Sequence, residues 1–116
     1  MKVLLVEDEA LVGLDLADTL QELGHEVLGP LLTVGRAMPF CRAEHADFAI
    51  LDFNLGRETS EPLADALAGE GVPFVFLTGY RPDALPARFR DRPILQKPLH
   101  PAILARVIDE IRSEAF

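Results

Sequence analysis

Five short apolar runs, separated by stretches with helical periodicity, constrain the fold of this chain more than any other feature of its sequence. The runs cover residues 3–6, 26–29, 48–51, 73–77 and 94–96. Short β-rich runs that alternate with helices are typical of α/β proteins. Because crossovers between parallel strands are right-handed, few topologies remain. We predict a doubly wound, five-stranded parallel sheet with strand order 2-1-3-4-5.

Helical periodicity between the runs predicts helices on both faces of this sheet. We expect the first helix to end at Gly24, and its stripe consists of Val12, Leu16, Thr19, Leu20 and Leu23. Residues 81–90 contain two prolines, so any helix there should be short or irregular. The last helix follows Pro101, and its apolar stripe consists of Leu104, Val107, Ile108 and Ile111.

Two further helices are predicted with weaker patterns. One lies around residues 33–43, where Pro39 lowers helical propensity and can introduce a kink. The other covers about residues 60–68, with Ser60 as a candidate cap and Pro62 tolerated in the first turn.

Length and composition limit the classes of protein that the chain can represent. A length of 116 residues predicts a single domain over residues 1–116 with no output domain. No apolar run approaches the roughly 20 residues of a membrane-spanning helix. Cys41 is the only cysteine, as expected in a reducing compartment, so we predict a cytoplasmic protein. A formal net charge of -8 disfavours direct binding to nucleic acid.

Polar residues follow the apolar runs at the points where ligands bind in such sheets. They are Glu7 and Asp8 after the first run, Asp52 after the third, Thr78 after the fourth and Lys97 after the fifth. Three neighbouring carboxylates repel one another and imply a cation. Oxygen ligands from Glu7, Asp8 and Asp52, with a backbone carbonyl near Asn54, suit Mg²⁺.

This combination of residues predicts phosphoryl transfer. Carboxylates can form aspartyl phosphates, so we assign Asp52 as the nucleophile. Mg²⁺ would neutralise the phosphoryl oxygens and Lys97 would supply a second cation. The Thr78 hydroxyl is the candidate hydrogen-bond donor to a phosphoryl oxygen.

Four short motifs together resemble the response regulator receiver family over the whole chain. Residues 3–9 read VLLVEDE, residues 50–52 read ILD, residues 77–79 read LTG, and residues 97–98 read KP. The resemblance implies a flavodoxin-like receiver fold and Mg²⁺-dependent phosphorylation of Asp52. Its implied donor is a phosphohistidine on a sensor histidine kinase or a histidine phosphotransfer protein, and a downstream protein partner is possible.

Residues 73–80 and 92–99, which read PFVFLTGY and RPILQKPL, resemble more narrowly the FATGUY group of single-domain receivers. Leu77 replaces the alanine of the group's namesake motif. Ile94 stands where most receivers carry a switching aromatic residue, and Tyr80 is a candidate substitute. Glu7 is one methylene longer than the aspartate usual at its position, so it is expected to reach Mg²⁺ through a water instead of directly.

Other readings of the same residues remain open. The acidic run at residues 7–9 could be a solvated turn that interacts with the dipole of the following helix. An aspartate-nucleophile phosphatase, as a true enzyme, would need a second aspartate where Asn54 stands. The chain could also be a phosphorylation-independent interaction module, or a receiver fragment of a larger signalling protein. Leu11 and Leu14 lie off the core stripe and could form a docking spot for a phosphodonor protein.

Overall fold

Five parallel strands form the central sheet of this protein. The computed structural model describes residues 1–79, 85–97 and 99–114. The strands in chain order are β1 (Lys2–Val6), β2 (Glu26–Leu31), β3 (Phe48–Asp52), β4 (Asn54–Leu55), β5 (Glu58–Thr59), β6 (Phe74–Thr78) and β7 (Ile94–Gln96). The main sheet has the order β2-β1-β3-β6-β7, and each of its pairings is parallel. The predicted doubly wound topology and order 2-1-3-4-5 are confirmed, because these are the five strands that the sequence predicts.

Within the described residues there are four α-helices, three between strands and the fourth after β7. They are α1 (Ala10–Glu22), α2 (Val34–Ala37), α3 (Glu61–Gly69) and α4 (Pro101–Glu114). Short 3₁₀ turns occupy Met38–Phe40 and Ala87–Phe89. The turn at Ala87–Phe89 agrees with the short or irregular helix predicted for residues 81–90. Tyr80, residues 81–84 and Pro98 lie outside the described residues. The prediction that Tyr80 replaces the switching aromatic residue therefore concerns a residue that the structure does not describe.

Alternating side chains of the strands divide the core into two layers, as expected when both faces of a sheet are covered. One layer joins Leu4, Leu51 and Phe76 to residues of α3 such as Leu63. The other layer joins alternate strand residues to α1 and α4; its members include Leu5, Ile50, Leu77, Leu16, Leu20, Leu104 and Ile108. Burial of both faces explains why the strands read as continuous apolar runs.

The second helix is shorter than the sequence predicts. Its α-helical part ends at Ala37, and a 3₁₀ turn over Met38–Phe40 takes the place of the remainder. Pro39 accounts for the change because it has no backbone N–H to continue the α-helical ladder. Thr33 caps the short helix, since its hydroxyl accepts a hydrogen bond from Arg36 N at 3.2 Å.

Two local predictions are wrong. Ser60 occupies the N-cap position of α3 but makes no capping hydrogen bond, and its buried Oγ has no partner among the described residues. Leu23, predicted on the core stripe of α1, lies beyond the end of that helix and is exposed. Pro62 does lie in the first turn of α3. Within the described ranges, no helix has both the length and the apolar character needed to cross a membrane.

Close packing between α1 and β2 depends on a glycine in the helix. A Cβ added at Gly13 would lie 2.7 Å from Pro30 Cβ and 3.5 Å from Glu7 Cβ. The absence of a side chain at Gly13 therefore lets the first turns of α1 lie against Pro30, beside the residue that follows β1.

We expect Gly13→Ala to lower the free energy of unfolding by about 1–3 kcal/mol, because the rigid ring of Pro30 cannot move aside easily. Gly35→Ala is the matched control, since Gly35 is also helical and its added Cβ would meet nothing within 4 Å. That control should raise the free energy of unfolding by up to about 1 kcal/mol through helical propensity. Urea unfolding measures both; equal effects of the two substitutions would contradict the packing argument.

Candidate functional site

The predicted site residues all lie at one edge of the sheet, at the carboxyl ends of its strands. Glu7 and Asp8 directly follow β1, Asp52 is the last residue of β3, and Thr78 is the last residue of β6. Lys97 directly follows β7. Parallel strands bring these positions together although up to 90 residues separate them along the chain.

Backbone hydrogen bonds hold the segments that leave the strands. Glu7 N donates to Leu31 O at 3.0 Å, on the neighbouring strand β2. Lys97 N likewise donates to Thr78 O at 3.1 Å. These bonds extend the sheet ladder by one residue beyond β1 and β7, so the side chains of Glu7 and Lys97 start from defined backbone positions.

The ammonium group of Lys97 lies among three carboxylates. It donates hydrogen bonds to Glu7 Oε1 and Asp52 Oδ2, both at 3.1 Å. It also lies 3.0 Å from Glu7 Oε2 and 3.5 Å from Glu9 Oε1. Lys97 is therefore the cation that partly offsets the negative charge at this edge of the sheet.

Glu7 is the most deeply buried acid of the site, with none of its surface exposed. Its Oε1 also accepts a hydrogen bond from Glu9 N at 3.0 Å. Its Oε2 forms the close ion pair with Lys97 but accepts no hydrogen bond of suitable geometry from the described residues. Because that oxygen is buried beside Lys97, a cation bound there would share it with the ammonium group.

Burial changes the acid–base properties of the two groups that meet in the cleft. Burial raises the pKa of Asp52 to about 7, and the negative charge of Glu7 adds to this rise while Lys97 opposes it. Burial alone would lower the pKa of Lys97, but its hydrogen bonds with Glu7 and Asp52 outweigh that effect and raise the pKa. Lys97 is consequently charged at physiological pH.

The acids form a cluster with the geometry of a cation site. One carboxylate oxygen from each of Glu7, Asp8 and Asp52 can be chosen so that all three lie within 4.8 Å of one another. All the donors are oxygens, which bind hard cations such as Mg²⁺ and Ca²⁺ in preference to Zn²⁺. The residues present therefore fit a hydrated divalent cation.

An open cleft of about 500 Å³ lies beside this cluster; its walls are Asp8, Glu9, Asp52, Asn54, Gly56, Gly79 and Lys97. Asn54 thus lies at the cleft, as predicted, on the short strand β4. Thr78 is buried at the end of β6, and its neighbour Gly79 provides the adjoining wall. Glu9 and Gly56 also line the cleft, although the sequence pattern did not predict them as site residues. Proximity of Glu9 to Glu7 and Asp8 was the available signal for it.

No protein-family model matches the sequence, but two curated regulators do. Transcriptional regulatory protein PdtaR of Mycobacterium tuberculosis is 33% identical over 91 residues, which is 78% of this chain and 44% of PdtaR. Phyllosphere-induced regulator PhyR of Methylorubrum extorquens is 29% identical over 114 residues, which is 94% of this chain and 42% of PhyR. The chain spans less than half the length of either regulator.

Several solved structures are similar over almost the whole chain. The solution structure of SdrG from Sphingomonas melonis Fr1 has a TM-score of 0.83 at 42% identity and covers 96% of this chain and 95% of SdrG. The BeF3-activated conformation of SdrG from Pseudomonas melonis Fr1 has a TM-score of 0.78 at 43% identity, with 93% and 92% covered. A CheY-like receiver domain from Methylobacillus flagellatus shares the fold, with a TM-score of 0.81 at 21% identity and 96% and 98% covered.

The raised pKa of Asp52 predicts how stability depends on pH without divalent cations. The folded protein holds the Asp52 proton up to about pH 7, whereas the ordinary value is 3.8. The folded state therefore binds more protons between these values, and stability falls as pH rises through this window. Asp52→Asn removes the fall, so near pH 8 it should raise the free energy of unfolding by on the order of 2 kcal/mol.

Urea unfolding in EDTA, near pH 5 and near pH 8, measures this difference. Asp18→Asn is the control, because Asp18 is exposed on α1 and loses the same charge. Equal free energies of unfolding for Asp52→Asn and wild type near pH 8 would show that the charged Asp52 carboxylate does not destabilise the folded protein.

Proposed function

We propose that Asp52 accepts a phosphoryl group in a Mg²⁺-dependent reaction. The chain belongs to the response regulator receiver family. One observation carries the proposal most directly. Asp52 is buried at 3% exposure, accepts a hydrogen bond from Lys97, and shares a cation-sized cluster with Glu7 and Asp8. An acidic nucleophile beside a fixed cation is what transfer to an aspartate requires.

Four residues would hold Mg²⁺ in this proposal. Asp8 and Asp52 offer carboxylate oxygens at the cleft, Asn54 offers its backbone carbonyl, and Glu7 offers the oxygen that accepts no hydrogen bond. When bound, the ion neutralises negative charge on the transferring group. The three carboxylates thus have a reason to lie together despite their mutual repulsion.

The protein's own groups would perform the transfer. A carboxylate oxygen of Asp52 attacks phosphorus, the bond from phosphorus to the donor nitrogen breaks, and the donor imidazole keeps that electron pair and takes a proton from solvent water. Lys97 then pairs with a phosphoryl oxygen in place of Asp52 Oδ2. The Thr78 hydroxyl is the proposed hydrogen-bond donor to another phosphoryl oxygen, since Thr78 follows Leu77, the strand partner of Asp52.

We further propose that the donor is a sensor histidine kinase or a histidine phosphotransfer protein. The phosphorylated chain would signal by passing the group on or by changing its binding to a downstream protein. We also propose that residues 1–116 form a single receiver domain, that this domain belongs to the FATGUY group, and that the protein is cytoplasmic. Asn54 at the position of a phosphatase's general acid favours a phosphoacceptor over an enzyme that turns over phosphoesters.

The proposal predicts a covalent adduct with defined requirements. Intact mass is measured after incubation with acetyl phosphate or phosphoramidate, with and without Mg²⁺. We expect a phosphoryl adduct that is stable in acid and labile in base, needs Mg²⁺, and is lost in Asp52→Ala. Asp18→Ala, at an exposed position of α1, should keep the adduct.

Absence of an adduct on folded wild-type protein, together with no Mg²⁺ binding in a fluorescence titration, would contradict the proposal. It would leave a phosphorylation-independent interaction module as the better description. An adduct that persists in Asp52→Ala would place the acceptor elsewhere.

An apolar groove next to the cleft is our candidate docking surface for the donor. Leu11, which lines this groove, is 83% exposed on α1, and Leu14, which lies outside its walls on the same helix, is 54% exposed. A groove of about 530 Å³ lies beside this helix, with walls of Glu9, Leu11, Val12, Asp15, Leu16, Leu77, Lys97 and Leu99. Acidic residues at an apolar groove favour a partner segment that carries both basic and apolar side chains.

Combined Leu11→Ser and Leu14→Ser substitutions should slow phosphotransfer from the cognate donor protein by about tenfold or more, because apolar anchors carry much of the energy of such contacts. Phosphorylation by acetyl phosphate should stay unchanged, which shows that the cleft is intact. Ile103→Ser, at a half-exposed position of α4, is the control. Equal transfer rates in the double variant and wild type would exclude this surface as the docking site.

A further inference from the structure

Glu9 and Lys97 together separate the apolar groove from the acidic cleft. Both residues line the groove beside α1, and both line the cleft that contains Asp52. The Glu9 carboxylate lies 3.5 Å from the Lys97 ammonium. The ion pair between them therefore lies at the boundary between the groove and the cleft.

The Glu9 side chain pairs with Lys97 although Glu9 stands at the start of α1. Glu9 is the N-cap residue of α1, yet its side chain makes no capping hydrogen bond to the helix. Its backbone N–H donates to Glu7 Oε1, which ties the residue to the buried acid, and its carboxylate reaches toward Lys97 instead. The carboxylate is 65% exposed, so it can leave Lys97 without being removed from water.

The Glu9 carboxylate acts on an approaching donor in two ways. It adds a negative charge at the mouth of a cleft that already holds the carboxylates of Asp8 and Asp52. It also competes for Lys97, which we propose to pair with a phosphoryl oxygen. Both effects oppose a small anionic donor that arrives from solvent, and the first grows with the negative charge on that donor.

A protein donor seated in the groove would meet different conditions. Glu9 forms part of the groove wall, where a basic side chain of the partner could pair with it. Such a pair would draw the Glu9 carboxylate away from Lys97 and leave the ammonium to the incoming phosphoryl group. Docking energy from the apolar groove would offset the remaining repulsion.

We propose that Glu9 is a specificity-determining residue, which disfavours free, highly charged phosphodonors and so favours a basic protein donor docked beside α1. This inference rests on the proposed phosphorylation of Asp52. The Glu9 carboxylate pairs with Lys97, and Glu9 contacts the buried Glu7 through its backbone N–H. Its role is to set the charge that a donor encounters.

Glu9→Gln tests the inference by removing the charge and keeping the side-chain shape. Phosphorylation rates are measured at saturating Mg²⁺ and near neutral pH with acetyl phosphate, a dianion, and with phosphoramidate, which carries less negative charge. At low salt we expect the variant to react about three- to tenfold faster with acetyl phosphate, and to gain less with phosphoramidate. High salt should reduce the difference between variant and wild type.

Glu22→Gln is the matched control, because Glu22 is exposed at the far end of α1 and loses the same charge. It should leave both rates unchanged. A Glu9→Gln rate with acetyl phosphate equal to or below that of wild type would overturn the inference. So would a gain that is equal for both donors and insensitive to salt, because a structural effect would act in that way.

The wild-type reaction separates this inference from the function on which it rests. If wild type forms no adduct with either donor, the proposed function itself fails. If wild type is phosphorylated on Asp52 but Glu9→Gln shows no donor-dependent gain, only the role of Glu9 is wrong.

Discussion

The contact of one lysine with buried carboxylates is the constraint on which the rest of this site depends. Lys97 Nζ lies about equally close to Glu7 and Asp52, both almost fully buried. Desolvation of such charges is costly, and a buried ion pair repays that cost only with good geometry and further hydrogen bonds. Here the carboxylates outnumber the single ammonium, so the charges are not balanced. The imbalance is the physical reason to expect a divalent cation at this position.

The parallel sheet positions these charges at the carboxyl ends of its strands. The acidic groups follow or end the strands β1 and β3, which are almost fully buried, and Lys97 follows β7 at the edge of the sheet. Backbone hydrogen bonds from Glu7 and Lys97 to the neighbouring strands continue the ladder past the strand ends. Gly13 adds to this order, since it lets Pro30 pack against α1 beside Glu7. The rigidity of the sheet edge therefore fixes the charges that local repulsion would otherwise separate.

The sheet order and the acidic cleft could be predicted from sequence patterns. Apolar runs mark strands buried on both faces, and the rule that ligands bind at the carboxyl ends of parallel strands then selects Asp52 and Lys97 without further information. Elements stabilised by single long-range contacts could not be predicted in this way. The hairpin of β4 and β5 has only two residues in each strand, and its Glu58 is held by a hydrogen bond from Val34 N.

The details of side-chain direction also lie beyond a sequence pattern. Ser60 has the residue type of a helix cap, but it is buried at the start of α3 and its Oγ has no partner in the part of the chain that the structure describes. Glu9 follows an acidic pair and precedes a helix, so its type fits a solvated turn equally well. Only the position of Lys97, far away in sequence, shows that Glu9 belongs to the boundary of the cleft.

We propose that a divalent cation neutralises the excess negative charge around Asp52. A carbon-13 NMR titration of the aspartate side-chain carboxyls, without and with saturating Mg²⁺, tests it most directly. We predict that Asp52 titrates with a pKa of about 7 without the ion, and that Mg²⁺ lowers this pKa by at least about one unit because the ion favours the charged carboxylate. An Asp52 carboxyl that titrates near its ordinary value of 3.8 and does not respond to Mg²⁺ would contradict the account.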